Sequence, residues 1–469
     1  MGKSLLLLDA GEDETQLAVV EAGRLDEFLA ERSQMTTLVG SVFKGKVRNV
    51  RPGMQAAFVD IGLEKAAYLP VGEQESPVTE GQMILLQIEK DPVGTKGPRA
   101  TRKISLPGSF VVWMPDHDYV GVSHRIAPDS LRERLRQTVE SLRPQGVGLI
   151  VRTAAVDAEP EDLAQDIAHL AINWQTLLLR ASHTTQPGLL YREYDLPIRM
   201  VRDYFSDQVE AVWIKGKTAY QRVREIVSER SEQLAERIHL YEGTMPLFVR
   251  YGVADAIAAI GSRRVDLSCG GYLVIDPTEA LTVVDVNTGR YTGETSLAET
   301  AFLTNCQAAV EIGRQVRLRD IGGIIVVDFI DLHDSKNRDE IIRLLETAFA
   351  GDRMKARVLG WTPAGLVEIN RKKSRRSAAT ILYDVCPVCD GTGKITAAAR
   401  VLQQIRQQLA EQGGAKPGQT LLLEVPPRMI PLLDKRTLAE LESHYAVQLR
   451  VQANPSLQPE VFSLLWDRR

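Results

Sequence analysis

Asp285 and Asp328 are the residues whose types and placement most suggest chemistry. Each ends a run of four strand-forming residues, LTVV before the first and IIVV before the second, and Asn287 follows Asp285 by two positions. Between them, SLAETAFLTNCQAAVEIGRQVRLRD predicts a helix. Ser296 and Glu299 form a capping box at its start, and Ala301, Ala308, Ile312 and Val316 fall on one face. Gly322-Gly323 breaks the chain before the second strand. Strand, crossover helix and strand imply two neighbouring parallel strands. Both aspartates then lie at carboxyl ends, where open α/β sheets place ligands. Two carboxylates there repel, and a hard cation such as Mg²⁺ relieves the repulsion. Asn287 shares a face with Asp285 by period two, where its amide can hold a carboxylate, a metal-bound water or a scissile phosphate. Such a site can activate water and stabilise charge on a phosphodiester. Aspartates also follow strands simply to begin turns, so one alone would carry little; two in one unit, with Asn287 beside the first, weigh more.

A second candidate centre is the pair Cys386 and Cys389 in CPVCDGTG, with the spacing and following glycines of a zinc knuckle. A structural zinc takes four ligands, and no second cysteine pair or nearby histidine completes the set. The alternatives are a redox pair, disfavoured by the proline after the first cysteine and the flexible GTG, or two chains donating one pair each. Cys269 and Cys306 read as ordinary buried cysteines. Arg371, Lys372, Lys373, Arg375 and Arg376 place five positive charges in six residues, either a solvated face or a grip on a phosphate backbone.

The elements that must position these groups need several domains, because 469 residues exceed a single core. With 44% hydrophobic and 25% charged residues, the chain has ordinary globular composition. Its net charge of −4 excludes a uniformly basic coat but not local basic patches. MGKSLLLLDAGEDE is too short for a signal-peptide core, no apolar stretch is long enough to span a membrane, and four cysteines form no disulfide framework. The expectation is a soluble protein of a reducing cytoplasm. Residues 1–37 predict strands at Ser4–Leu8 and Gln16–Val20 and a short helix. From Leu38, short strands such as Ala57–Asp60, Ala67–Leu69 and Met83–Ile88, separated by glycines and prolines, predict a small β-barrel. Residues 107–197 mix strands, including Val147–Arg152, with a helical segment. The stretch 198–243 looks strongly helical. Strands at Tyr272–Ile275, Leu281–Val284 and Ile324–Val327 follow, and the last 70 residues read as a small α/β unit.

At AAFVDIG, GLIVRTA, IDPTEALTVVDVNTG, RLRDIGGIIVVDFIDL and CPVCDGTG, in this order, the sequence resembles the bacterial ribonuclease E/G family, and without a long tail it looks more like the G branch. The resemblance implies a multidomain α/β and β architecture. Residues 1–37 and 198–268 would form a discontinuous, non-catalytic ribonuclease-H-like domain, interrupted by an S1 (OB-fold) barrel at 38–106 and a 5′-sensor region at 107–197. A catalytic nuclease domain at 269–380, a zinc-link at 381–397 and a small C-terminal domain at 398–469 would follow. The implied activity is hydrolysis of single-stranded RNA to 5′-phosphate and 3′-hydroxyl ends, in ribosomal RNA maturation and messenger RNA turnover.

By the same resemblance Asp285 and Asp328 hold Mg²⁺ and Asn287 supports them. Cys386 and Cys389 share zinc between chains, making at least a homodimer and, if dimers pair, a tetramer. Phe58, Tyr68 and Lys96 match RNA-contacting positions, Tyr68 standing where the family usually has Phe. Taken alone, Phe58 in AAFVD reads as a core residue, whereas the Tyr68 hydroxyl suits a surface. Arg152 and Thr153 match a pocket for a 5′-monophosphate, to which Gly108 and Val112 present backbone. An arginine fork suits a terminal phosphate, although an arginine at a strand end is commonly just solvated. His124 stands where the family often has arginine, with Arg125 next to it. If that position helps place the sensor, His124 weakens the monophosphate preference or makes it pH-dependent.

Two other functions compete with the nuclease reading. A non-catalytic RNA-binding or assembly factor would use the barrel and basic run without cutting, and would show a degenerate carboxylate site. The barrel and the sensor motif argue against a DNA nuclease or small-nucleotide phosphodiesterase, though neither feature excludes DNA by itself.

Overall fold

The computed structural model describes residues 4–32, 37–72, 77–92, 96–206, 208–229, 231–289, 296–372, 378–411 and 420–466. The chain opens with three antiparallel strands, β1 (Ser4–Ala10), β2 (Glu14–Glu21) and β3 (Arg24–Arg32). The third replaces the expected short helix. A register shift opposite Val19 and Val20 pairs Leu25 with Val20 and leaves Asp26 out. Leu25 and Phe28, three apart, are therefore both buried, a spacing that reads as helical in the sequence.

The expected barrel follows. Strands β4 (Val42–Arg51), β5 (Ala56–Asp60), β6 (Ala67–Pro70), β7 (Met83–Lys90) and β8 (Arg99–Thr101) pair in the order β4-β5-β6-β8-β7. Pairing of β7 back to β4 closes five strands around Phe43, Val47, Val59, Leu69 and Leu86. Next come β9 (Leu106–Pro107), β10 (Val111–Met114), β11 (Val120–Val122), α1 (Asp129–Leu142), β12 (Gly148–Val151), α2 (Pro160–His183) and β13 (Gly188–Tyr191). Four of these strands form a sheet in the order β11-β12-β10-β9, and β13 extends the barrel at β4.

The stretch expected to be helical holds two strands among its helices: α3 (Leu196–Tyr204), β14 (Val209–Lys215), α4 (Lys217–Ser228), α5 (Glu232–Ala235) and β15 (Ile238–Leu240). Val209, Ala211, Val212 and Ile214 of β14 are all buried. A strand covered on both faces loses the alternation that identifies strands in a sequence. Because β14 pairs in parallel with β1, one sheet, β15-β14-β1-β2-β3, draws on chain from both sides of residues 38–197.

The part carrying the two aspartates contains α6 (Leu247–Arg250), α7 (Ala254–Ala258), β16 (Arg264–Asp266), β17 (Tyr272–Pro277), β18 (Leu281–Asn287), α8 (Leu297–Leu318), β19 (Gly323–Asp328), α9 (Ser335–Phe349), β20 (Arg357–Trp361), β21 (Val367–Arg371) and α10 (Ala378–Leu382). Its sheet runs β16-β17-β18-β19-β21-β20, with a parallel step at β18–β19. Val284, Val286, Ile325 and Val327 bury one face in a core shared with Ala308, Ile312 and Val316 of α8 and Ile341 and Leu345 of α9. Residues up to Leu382 form one compact unit and those from Tyr383 a second. The second, described by itself, holds α11 (Ala398–Glu411), β22 (Thr420–Val425), α12 (Lys435–Tyr445), β23 (Gln448–Ala453) and β24 (Ser463–Trp466), with a β23-β22-β24 sheet. No described helix is long and apolar enough to cross a membrane.

The basic run does not act as one surface. Lys373, Arg375 and Arg376 lie outside the described residues, Lys372 is exposed, and Arg371 is buried. Arg371 makes a two-pronged pair with Asp352 at 3.0 Å on both arms, and its Nη1 donates to Asp320 at 2.7 Å and to the Ile321 carbonyl at 2.9 Å. Burial pushes the Asp352 carboxyl up, but Arg371 and two backbone N–H groups outweigh it and hold it below the usual carboxylate value. Removing one partner of a buried pair costs about 3 kcal/mol or more. Asp352→Ala should therefore lower the unfolding free energy of the first unit, measured by urea unfolding, by about that much at pH 7. A carboxyl depressed in the folded state stabilises above its unfolded value of about 3.9 and loses that contribution as pH falls. The gap between wild type and Asp352→Asn should accordingly be full at pH 7 and shrink below about pH 4.

Candidate active site

Parallel pairing of β18 with β19 sets Asp285 directly opposite Asp328. Adjacent strands lie about 4.8 Å apart, so two carboxylates share one sheet edge. Their neighbours along the strands, Val284, Val286 and Val327, are buried, whereas both aspartates are exposed. By alternation the aspartates occupy the face turned away from α8 and α9. Partial burial, then the charges of Asp285 and Asp331, push the Asp328 carboxyl above its ordinary value. Asn287, on the same face, donates from Nδ2 to Asp285 Oδ2 at 2.9 Å, which fixes that carboxylate and leaves Oδ1 free of the amide. Of the three roles open to Asn287, the first is the one it plays here.

The residues fit a hard divalent cation. The donors are carboxylate oxygens, and burial first and then the charges of Asp285 and Asp331 disfavour the ionised Asp328, a cost that a cation would offset. Among the described residues no cluster of three or more metal-ligating side chains occurs, so two carboxylates would be the protein's share and waters the rest.

Several positioning groups were not recognised from the sequence. Asn305 of α8 is fully buried and reads both backbone groups of Ile330, donating to its carbonyl at 2.7 Å and accepting its N–H at 3.1 Å. It pins the segment that carries Asp328 and Asp331. Its signal was legible: a polar residue four positions after Ala301 interrupts the apolar stripe of the helix. On the neighbouring strand Tyr272 stands opposite Asn287, with the Arg264 guanidinium 3.8 Å over its ring.

On the barrel, Phe58 and Tyr68 are register partners on β5 and β6, half-exposed, with ring centroids 6.0 Å apart at 73°. Phe58 is therefore not a core residue. Lys96 is exposed, and the Tyr68 N–H donates to Pro98 two residues on.

Arg152 follows β12. Its Nη1 donates to the Gly108 carbonyl and its Nη2 to Asp203 Oδ1 at 2.7 Å. Thr153 is exposed, its hydroxyl 3.3 Å from that of Ser123. Buried Asp166 of α2 accepts the N–H groups of Ser109, Phe110 and Val111 at 2.8–3.0 Å. A Cβ at position 108 would collide with its carboxylate, which is why glycine stands there. The Gly108 N–H goes to the Val111 carbonyl at 2.8 Å, and Val112 is half-buried on β10 opposite Pro107 and Ile150. Arg152 and Thr153 thus meet at one edge, while the Gly108 loop uses its amides internally. His124 is exposed, and its neighbour Arg125 donates to the Asp352 carbonyl.

In the second unit Cys386 is exposed and Cys389 half-exposed. The N–H groups of Cys389 and then Val388, aimed at the Cys386 sulfur, hold its thiol below the ordinary value. Sulfur caged by backbone N–H groups suits a thiolate ligand.

A carboxylate pair at a parallel step in an α/β sheet, carried with a barrel whose outer face shows two aromatic rings, fits a nuclease of the metal-dependent class. The family model described as ribonuclease E/G family matches residues 105–374. Ribonuclease G of Salmonella typhimurium (strain SL1344) is 36% identical over 483 residues, covering 98% of this chain and 99% of that protein. Ribonuclease G of Haemophilus influenzae is 40% identical over 424 residues, covering 86% of each. Ribonuclease E of the same organism is 32% identical and is matched over 52% of its length. The chain belongs to the ribonuclease E/G family and is an RNA-binding endoribonuclease, a metal-dependent hydrolase of phosphodiester bonds.

Asp328→Asn would remove the like charge facing Asp285 together with a carboxylate that would hold the cation. Cleavage should fall about a thousandfold, the loss of several kcal/mol of transition-state stabilisation. The melting temperature in EDTA should stay equal or rise. A drop in both, measured on one preparation, would instead make Asp328 a structural residue.

Proposed function

We propose that the protein is a Mg²⁺-dependent endoribonuclease that hydrolyses single-stranded RNA, prefers a 5′-monophosphate end, and serves ribosomal RNA maturation and messenger RNA decay in the cytoplasm. The observation that carries this reading is the in-register pair Asp285 and Asp328 with Asn287 bound to the first. These aspartates would hold the ion, which when bound activates water and stabilises charge on the phosphodiester. The chain's own groups do the rest. Asn287 orients the Asp285 carboxylate, Asn305 holds the strand exit, and the sheet face away from α8 receives the RNA backbone. Phe58 and Tyr68 stack bases while Lys96 meets phosphate. Arg152 and Thr153 bind the terminal phosphate beside Gly108 and Val112.

In this reading the barrel at 38–106 is an S1 domain and residues 107–197 are the 5′ sensor. The sheet shared by 1–37 and 198–268 is a ribonuclease-H-like domain without its own active site. Residues 269–380 are the nuclease domain, 381–397 the zinc-link and 398–469 a small C-terminal domain. Zinc shared through Cys386 and Cys389 of two chains makes a homodimer, and two dimers can pair into a tetramer.

Cleavage of short RNAs bearing a 5′-monophosphate or a 5′-hydroxyl, with Mg²⁺ or EDTA, tests the activity and the sensor together. Internal cleavage should require Mg²⁺ and run faster on the monophosphate. Equal rates on both ends would refute the sensor alone. Phe58→Ala should weaken RNA binding by about 1–3 kcal/mol. Cys386→Ser should convert the dimer to monomer in sedimentation velocity, and an unchanged dimer would rule out the shared zinc.

A further inference from the structure

Arg152 and Asp203 belong to a cluster that the sequence motifs did not announce. Asp203, at the end of α3, lies between two guanidinium groups. Its Oδ1 accepts from Arg152 Nη2 at 2.7 Å and from Arg202 Nε at 3.0 Å, and its Oδ2 accepts from Arg202 Nη2 at 2.8 Å. Arg202 in turn donates to Glu193. Two arginines and two carboxylates make a neutral group. Side-chain exposures of 24% for Arg152 and 13% for Asp203 leave the arginine the more open of the two. Burial alone would push the Asp203 carboxyl up, but the hydrogen bonds and charges of Arg202 and Arg152 hold it far below the usual range. It stands as the counter-charge between the two guanidinium groups.

A guanidinium has five N–H donors. The Gly108 carbonyl and Asp203 take one each, which fixes the plane of the group and leaves three donors for a ligand. Asp203 also cancels the net charge of Arg152, and this changes what the remaining donors select. An internal phosphodiester carries one negative charge, whereas a terminal monophosphate carries about 1.5 to 2 near pH 7. A bare arginine attracts both through its net charge; facing Asp203 it selects instead by the fit of its fixed donors, which the three terminal oxygens of a monophosphate match better than the two free oxygens of a diester.

We infer that Asp203 is a positioning and specificity-determining residue of the 5′-end pocket: it holds the Arg152 donors in the plane that a terminal phosphate fits, and its charge weakens the attraction that Arg152 would otherwise have for any phosphate. The inference rests on Arg152 and Thr153 being that pocket.

The test uses the full-length protein and matched single-stranded RNAs ending in a 5′-monophosphate or a 5′-hydroxyl. KM and kcat are measured for wild type, Arg152→Ala, Asp203→Asn, Asp203→Ser and Asp203→Glu. Loss of the counter-charge should lower KM for the hydroxyl-ended RNA by about fivefold in both neutral variants, so that discrimination falls by gain on the wrong end. Arg152→Ala should instead lose discrimination by a rise in KM for the monophosphate. Asp203→Glu keeps the charge and should keep discrimination against the hydroxyl end. The two neutral variants guard against one that fails to fold. Neutral variants that slow both RNAs in equal proportion, or change neither, overturn the role of Asp203 while the pocket stands. A wild type that treats both ends alike, with Arg152→Ala unchanged, overturns the pocket and this inference with it.

Discussion

Pairing β18 in parallel with β19 forces two like charges into neighbouring positions, and much of the surrounding structure serves to keep them there. The valines beside each aspartate are buried against α8 and α9, so neither strand can slip by one residue without turning its apolar set to water. Asn305 fixes the backbone just beyond Asp328, and Asn287 fixes the carboxylate of Asp285. A sheet gains nothing in stability from two adjacent carboxylates; directly opposed like charges destabilise it. Such a local conflict, upheld by consistent packing on every side, marks a functional site.

Other charges in the molecule make the contrast plain. Arg371 is balanced by Asp352 and Asp320, and Arg317 by Asp26. The Glu193, Arg202, Asp203 and Arg152 group closes on itself. Among the described residues, Asp285 and Asp328 have no ion-pair partner, and a bound cation would supply that balance. The two cysteines of the second unit are likewise incomplete by themselves, offering half the ligands of a structural zinc site.

What could be read in the sequence followed physical simplicity. The unit around Asp285 and Asp328 was legible because its strands are short apolar runs and its helix has a capping serine and an apolar stripe; Ser296 does accept the Glu299 N–H. β14 was not, because burial on both faces removes its alternation and the charges of α4 dominate the window. β3 was mistaken for a helix because its register shift spaces Leu25 and Phe28 as a helix would. Phe58 alone looked like core, and only pairing with Tyr68 on the outer face of a closed barrel distinguishes it. Arg371 looked like surface because five clustered charges suggest solvent, yet Asp352 and Asp320 reach it from 19 and 51 positions away. Asp203 was invisible for the same reason, lying 51 positions from the arginine it holds.

The central claim is that the carboxylate pair is a cation site made by strand register. It is tested most directly by thermal melting of the full-length protein across a Mg²⁺ titration, without RNA. Ligand that binds only the folded state stabilises by RT ln(1 + [L]/Kd). The melting temperature of wild type should rise saturably with Mg²⁺, and that of the Asp285→Asn, Asp328→Asn double variant should begin higher and stay flat. A double variant that responds to Mg²⁺ as wild type does would place the cation elsewhere and contradict the account.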